Sequence, residues 1–489
     1  MRTELRRIRS QAHELINAGR SSQAIDLIAA ATRQSSRATE LHALWSTLLL
    51  RDGRRADATE VIEAAATLPC EDADDCDGLA YVAMALGREA LSLELYRRSV
   101  ELAPNEPRLW FNLASAHRAM GSVDGAEAAC NRAIALDRTF FRAYLLRSEL
   151  RVQAPDANHI EELLTIMRAC QGNTPALVIL SHALAKEYDD LQRYDEAFAW
   201  LERGANARRK NLNYDVRSDT AKLKRIAEVY AETQPAVAAT QDLPQFGFVV
   251  GLPRSGTTLV ERILTGLPGV RSNGETDNFM RALLGATPPG PDDIFSRASR
   301  SPPSQVGASY ARLATREGDA TIIEKLPLNY LYLGAIARAL PNARLLALRR
   351  CPLDSCFAMY RTLFAEGYPF SYHFDDLAQY YAAWDNLMKH WERSLGDRLH
   401  IVRYEELVRE PQRIGAALAA HCGIEWQPET LLIANNPAAS RTASASQIRR
   451  PIYSTSVGYW QRYRHHLYPL VEALRRNGIE VTLDSAALP

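Results

Sequence analysis

The chain has 489 residues, enough for at least two domains that each bury a core. Its 58 Lys and Arg balance 58 Asp and Glu, which disfavours a globally basic nucleic-acid binder. The charged start, Met1 to Arg9, is followed by no apolar segment, and no stretch approaches a bilayer span, so a cytoplasmic protein without a membrane partner is expected.

Seven cysteines (Cys70, Cys76, Cys130, Cys170, Cys351, Cys356 and Cys422) are odd in number and dispersed. That pattern leads us to expect reduced thiols rather than a disulfide framework. Cys351 and Cys356 have no companions at ligand spacing, so no metal is expected.

The first half carries an internal period. Gly19, Gly53, Gly87 and Gly121 recur every 34 residues. Ala24, Ala58, Ser92 and Ala126 form a small-residue series at the same step, and Ile28, Ile62, Tyr96 and Cys130 follow four residues later. Leu79-Ala80 recurs as Leu113-Ala114, with Trp110 just ahead. A helix–turn–helix unit with these small and large positions resembles the tetratricopeptide repeat. Small residues let paired helices approach, and the glycine closes the turn. Beyond Ala126 the register loosens, with Pro155 where the next turn glycine would fall, and one more helical pair is expected over 175–208, with Ala197 in the small position. Five or six hairpins are expected, giving an α-helical repeat solenoid over residues 1–230. The Pro-containing, weakly apolar stretch 231–244 reads as a linker.

Residues 245–489 change character. Short apolar runs at 246–250, 321–323, 344–348 and 399–402 alternate with helical stretches. This predicts a P-loop-like, three-layer α/β domain with a parallel sheet covered on both faces. Ligands of such sheets sit at the carboxyl ends of the strands.

After the first run comes Gly251-Leu-Pro-Arg254-Ser255-Gly256-Thr257-Thr258, with the glycine spacing of a phosphate-binding loop. Thr257 replaces the usual lysine, and Arg254 lies inside the loop. Backbone N–H groups from Ser255 to Thr258, three hydroxyls and the Arg254 fork suit an anion. After the third run, Arg349-Arg350 precedes a helix opened by Pro352, which suits a second phosphate.

In this order and spacing the two motifs resemble the sulfotransferases that use 3′-phosphoadenosine-5′-phosphosulfate (PAPS). The pattern is similar to the bacterial tetratricopeptide-repeat sulfotransferases, which are related to tyrosylprotein sulfotransferases, and covers roughly residues 245–465 plus the repeats. By that resemblance Gly251–Thr258 holds the 5′-phosphosulfate, and Arg350 opens the 3′-phosphate motif. Glu275, 21 residues after Arg254, matches a glutamate base, which would work if its site shifts its pKa upward. Lys325, in Lys-x-Pro-x-Asn, would stand beside the bridging oxygen of the leaving group. Ser444 matches a serine that helps hold the transferred group, and Tyr404, in Arg403-Tyr-Glu-Glu-Leu407, a nucleotide contact. The stretch Pro451–Trp460 is similar to a cofactor-covering loop. Two positions depart from the family: Ala358 where a serine is usual and Tyr459 where Lys or Arg is usual. Ser355, Arg449, Arg450 or Arg462 could substitute.

The expected function is transfer of a sulfuryl group from PAPS to an acceptor hydroxyl. A less negative transferring group needs no metal bridge, which suits a loop without the lysine. The alternatives are a repeat scaffold whose nucleotide-binding domain has lost transfer, and a metal-dependent kinase, which Thr257 disfavours. The repeats could hold a peptide or protein acceptor, or pair two chains as a homodimer. No residue distinguishes a peptide, carbohydrate or small-molecule acceptor.

Overall fold

The computed structural model describes residues 2–18, 20–35, 38–231, 244–316, 318–364, 367–431, 452, 454–481 and 483. These form two compact units, residues 1–152 and the described chain from Gln153 onward.

The first unit is helical hairpins at a 34-residue step. The leading helices are Thr39–Arg51, Ala73–Ala85 and Pro107–Met120, and their partners are Arg55–Ala66, Glu89–Leu102 and Val123–Leu136. Gly53, Gly87 and Gly121 take left-handed backbone, φ +82°, +76° and +79°, which closes each turn. Gly19 lies outside the described residues. Ala24, Ala58, Ser92 and Ala126 are wholly buried, and Ile28, Ile62, Tyr96 and Cys130 fill the space beside them. Ser92 satisfies its buried hydroxyl by donating to the Ala80 carbonyl at 2.8 Å. The cysteine expectation is corrected here: Cys70 and Cys76 are joined by a disulfide at the start of the helix Ala73–Ala85. Counting cysteines along the chain overlooks a pair placed locally across a helix junction.

The step fails where Pro155 falls. The helix Phe141–Leu150 stops, and Ala154 and Ala157 exchange backbone hydrogen bonds across the turn that holds Pro155. The division between the two compact units falls here, between Val152 and Gln153. The helices Ile160–Ala169, Thr174–Asp190, Tyr194–Lys210 and Val216–Val229 therefore share a unit with the sheet. The reason is side-chain chemistry outside the repeat pattern. Arg209 pairs with Asp376 at 2.6 Å, and Phe198 stacks on His466, centroids 4.4 Å apart. The Tyr230 ring packs so closely on Gly334 that an added Cβ would lie 2.6 Å from it.

The sheet has five parallel strands: β1 Gln245–Gly251, β2 Val270–Gly274, β3 Thr321–Lys325, β4 Arg344–Arg349 and β5 Leu399–Arg403, in the order β2-β3-β1-β4-β5. Four coincide with the apolar runs. The fifth, β2, is an edge strand of sequence Val-Arg-Ser-Asn-Gly with every residue half-buried, so it has no apolar run to announce it. On one face Val249, Ile323, Leu346 and Leu348 pack against Val260 and Ile263 of the helix Thr257–Thr265 and Leu418 of the helix Pro411–His421. On the other, Phe248 meets Phe279 and Tyr310. Among the described residues no helix is long and apolar enough to cross a membrane.

The small position of the repeats gives a direct test. Ala126→Leu forces extra carbons into a filled helix–helix contact and is expected to cost about 1–3 kcal/mol. Urea denaturation would show a lower midpoint at unchanged slope.

Candidate active site

All five strands are parallel, so their carboxyl ends share one edge, and each delivers a polar residue there. In spatial order the strands lead to Glu275 after β2, Lys325 at the end of β3, the loop Gly251–Thr258 after β1, Arg350 after β4 and Tyr404 after β5.

The loop after β1 is shaped by two close approaches. A Cβ on Gly256, whose φ is +103°, would lie 2.5 Å from the Tyr404 ring. One on Gly251 would lie 2.9 Å from Ser255 Oγ and 3.1 Å from the Leu348 carbonyl. Arg254 itself adopts left-handed backbone, φ +66°, a conformation that costs a non-glycine residue on the order of 1 kcal/mol. The Ser255 N–H closes the turn onto the Leu252 carbonyl at 3.3 Å, which removes it from the expected cradle. The remaining donors are the Thr257 and Thr258 N–H groups at the start of the helix Thr257–Thr265, since the Leu259 N–H already donates to the Gly256 carbonyl at 2.9 Å. Thr257 is buried and Thr258 half-buried. Ser255 Oγ is buried without a hydrogen-bond partner among the described residues, as is Arg350 Nε. Orphaned polar atoms in and beside a glycine-shaped loop fit an anionic ligand.

Arg349 and Arg350 do not act as a pair. Successive residues at a strand end point to opposite sides. Arg349 is taken up by Asp385 at 2.5 Å and Glu392 at 2.7 Å, over the Trp384 ring. Arg350 turns the other way. Its Nη1 donates to the Arg254 carbonyl at 3.0 Å, its Nη2 to the Ser456 carbonyl, and its guanidinium lies 4.8 Å from the Tyr404 ring centre. The Tyr404 hydroxyl shares a hydrogen with Ser456 Oγ at 2.6 Å. Tyr404 thus positions the loop and Ser456 as well as offering a surface. The following helix, Pro352–Tyr360, is fixed at its start by Glu405, whose carboxylate accepts the Cys351 N–H at 2.8 Å. Ser355 is buried, 3.4 Å from the Arg350 carbonyl, and Ala358 is half-buried on the same helix.

At the other end of the row, Lys325 is 1% exposed and lies between two carboxylates, Glu275 at 2.5 Å and Glu261 at 3.5 Å. Glu275 is 43% exposed, so its carboxylate is held by the lysine while open to solvent. Glu261 comes from the helix behind the anion loop and also accepts Ser272 Oγ at 2.5 Å. It links loop, β2 and Lys325. Sequence reading missed it, because a glutamate inside an amphipathic helix looks like any solvated residue. Beside Lys325, Glu324 points to the opposite face and is fully buried. Burial pushes its carboxyl up to about 7, although the Tyr310 hydroxyl donates to it at 2.9 Å.

Tyr459 is not left as a gap where a cation is missing. Its ring lies between the guanidinium groups of Arg361, 4.3 Å away, and Arg462, 4.5 Å away, and its hydroxyl donates to Asp189. Ser444, Arg449 and Arg450 lie outside the described residues.

Residues 248–428 match the model of the sulfotransferase family, and residues 107–140 match that of the tetratricopeptide repeat. The chain carries a sulfotransferase-family domain behind tetratricopeptide repeats. A curated relative from Aquifex aeolicus (strain VF5), titled only as an uncharacterized protein, is 25% identical over 403 residues, which are 78% of this chain and 52% of the relative. The chain thus spans about half the length of the curated relative it matches. Solved structures that resemble parts of it include the sulfotransferase domain of the Synechococcus PCC 7002 olefin synthase, 18% identical, TM-score 0.36, covering 51% of this chain and 100% of that one. A sulfotransferase from Alicyclobacillus acidocaldarius is 19% identical, TM-score 0.28, covering 50% and 98%. The repeat protein YrrB, titled as having an unusual peptide-binding site, is 18% identical, TM-score 0.27, covering 38% and 87%.

Glu324 makes stability pH-dependent within the sulfotransferase-family domain. Its folded pKa, about 7, exceeds its ordinary 4.5. Between those values the unfolded chain releases a proton that the folded chain keeps, so this group's contribution falls as pH rises and levels off above about 7. Glu324→Gln is expected to remove that slope. Melting temperatures of wild type and variant, compared from about pH 5 to 8, should converge at the acidic end and favour the variant at the basic end.

Proposed function

We propose that the domain transfers a sulfuryl group from PAPS to an acceptor hydroxyl. The observation that carries this reading is the row of strand ends, which sets a solvent-open carboxylate, a buried ammonium, an anion loop and a buried guanidinium side by side in a sulfotransferase-family domain. The bound co-substrate supplies an activated sulfuryl group whose departure leaves adenosine 3′,5′-bisphosphate. Arg254, Ser255, Gly256, Thr257 and Thr258 hold the 5′ side through hydroxyls, first-turn N–H groups and the arginine fork. Arg350 and Tyr404, with Ser355 nearby, hold the 3′ side.

Glu275 takes the acceptor proton as the hydroxyl attacks in line. Lys325, fixed by Glu261, orients that carboxylate and brings a positive charge to the transfer site. Its burial strengthens the electrostatic effect because little water screens it. Ser444 completes the reading as a further contact to the transferred group. The acceptor is proposed to be a peptide or protein held by the repeats, with the chain acting without a metal and pairing as a homodimer.

Calorimetry with adenosine 3′,5′-bisphosphate, with and without Mg²⁺, tests the nucleotide site; metal-independent binding is expected, and no binding refutes the reading. Glu275→Gln should leave that affinity within about two-fold while lowering transfer of labelled sulfate from PAPS to a lysate acceptor by about 100-fold or more. Retained transfer in Glu275→Gln would remove Glu275 from the role of base.

A further inference from the structure

One helical hairpin reaches toward the nucleotide side of the site, and no motif in it suggests this. Asp189 closes the helix Thr174–Asp190, and its carboxylate is 9% exposed. It accepts from Arg361 Nη2 at 2.8 Å and from the hydroxyls of Tyr459 and Tyr463. Arg361 ends the helix Pro352–Tyr360, which begins two residues after Arg350. Tyr459 and Tyr463 belong to the short helix Tyr459–His466.

The stretch just before that helix is bound from the other direction. Asp354 accepts the Gly458 N–H at 2.7 Å and the Trp460 N–H at 3.3 Å. Ser456 accepts from Arg350 and bonds Tyr404, and these two residues touch the anion loop at Arg254 and Gly256. A continuous set of contacts therefore runs from Asp189 through Tyr459 and Ser456 to Arg350. Asp189, Asp354, Tyr404 and Tyr463 are buried, while Arg361, Ser456 and Tyr459 are half-buried.

We infer that Asp189 is a positioning residue for nucleotide binding: the hairpin fixes the segment Ser454–His466, and that segment fixes Arg350 and Tyr404 against the anion loop. This rests on the PAPS reading above. Asp189 touches no ligand in this scheme. Its effect falls on affinity for the nucleotide rather than on proton transfer at Glu275.

The test is calorimetric titration of the full chain with adenosine 3′,5′-bisphosphate, using Asp189→Asn, Tyr459→Phe and the double variant. Asp189→Asn is expected to weaken binding about ten-fold and Tyr459→Phe about three-fold, with the double variant no weaker than Asp189→Asn because both break one linkage. In PAPS-dependent transfer, KM for PAPS should rise while kcat stays within about two-fold, a split that general destabilisation would not produce. If folded Asp189→Asn binds within about two-fold of wild type, or if the two effects add, the inference is wrong. If Asp189→Asn does not fold, Tyr459→Phe and Tyr463→Phe decide it, since each removes only a hydroxyl; unchanged affinity in both overturns it. Failure of the wild type to bind the bisphosphate would refute the PAPS reading and this inference together. Normal wild-type binding with unaffected variants would refute this inference alone.

Discussion

A guanidinium removed from water must be compensated where it sits, because the penalty for burying an ion is several kcal/mol. Arg350 is 7% exposed, and much of this domain is arranged around that requirement. Its partners are two backbone carbonyls, one tyrosine face and the Asp354 carboxylate at 3.9 Å. The carbonyls belong to the anion loop and to the C-terminal stretch, and the tyrosine follows β5. Elements far apart in the chain thus converge on one cation. Because its close partners are mostly dipoles rather than anions, much of its positive field remains available to a ligand.

Lys325 is compensated differently. Two carboxylates flank it, one from the end of β2 and one from the helix behind the loop. The two buried cations therefore give the site two electrostatic characters. The Arg350 side is positive and built from backbone, while the Lys325 side is an ion-paired cluster.

How much of this was readable in the sequence follows from how each feature is encoded. The repeats were legible because a fixed step places glycines and small residues at equivalent points, and burial at Ala24, Ala58, Ser92 and Ala126 repeats accordingly. Four strands were legible as apolar runs, and the tight loop Gly251–Thr258 as a glycine pattern. The residues that tie the site together were not. Glu261, Asp354 and Asp189 are ordinary helix residues until tertiary contacts give them partners. Arg349 looked equivalent to Arg350, yet the alternation of a strand end sends it to Asp385 and Glu392. Tyr459 read as a lost cation, and the fold instead lays it between two arginines. The Cys70–Cys76 bond and the membership of residues 153–230 in the sheet's unit are likewise facts of proximity, which composition and spacing do not record.

The edge position of β2 has a consequence for the timing of motion. Its five residues are all half-buried, and it pairs on one side only, whereas β1 is buried along nearly its whole length and paired on both. Edge strands of this kind open locally at lower free energy than central ones. Glu275 hangs from the end of β2, and the anion loop hangs from β1. Brief fraying of the edge would release the carboxylate from Lys325 while the loop stays formed. Amide hydrogens of residues 270–274 should accordingly exchange in a separate, faster class than those of residues 246–251, dividing the site into a durable half and a labile half.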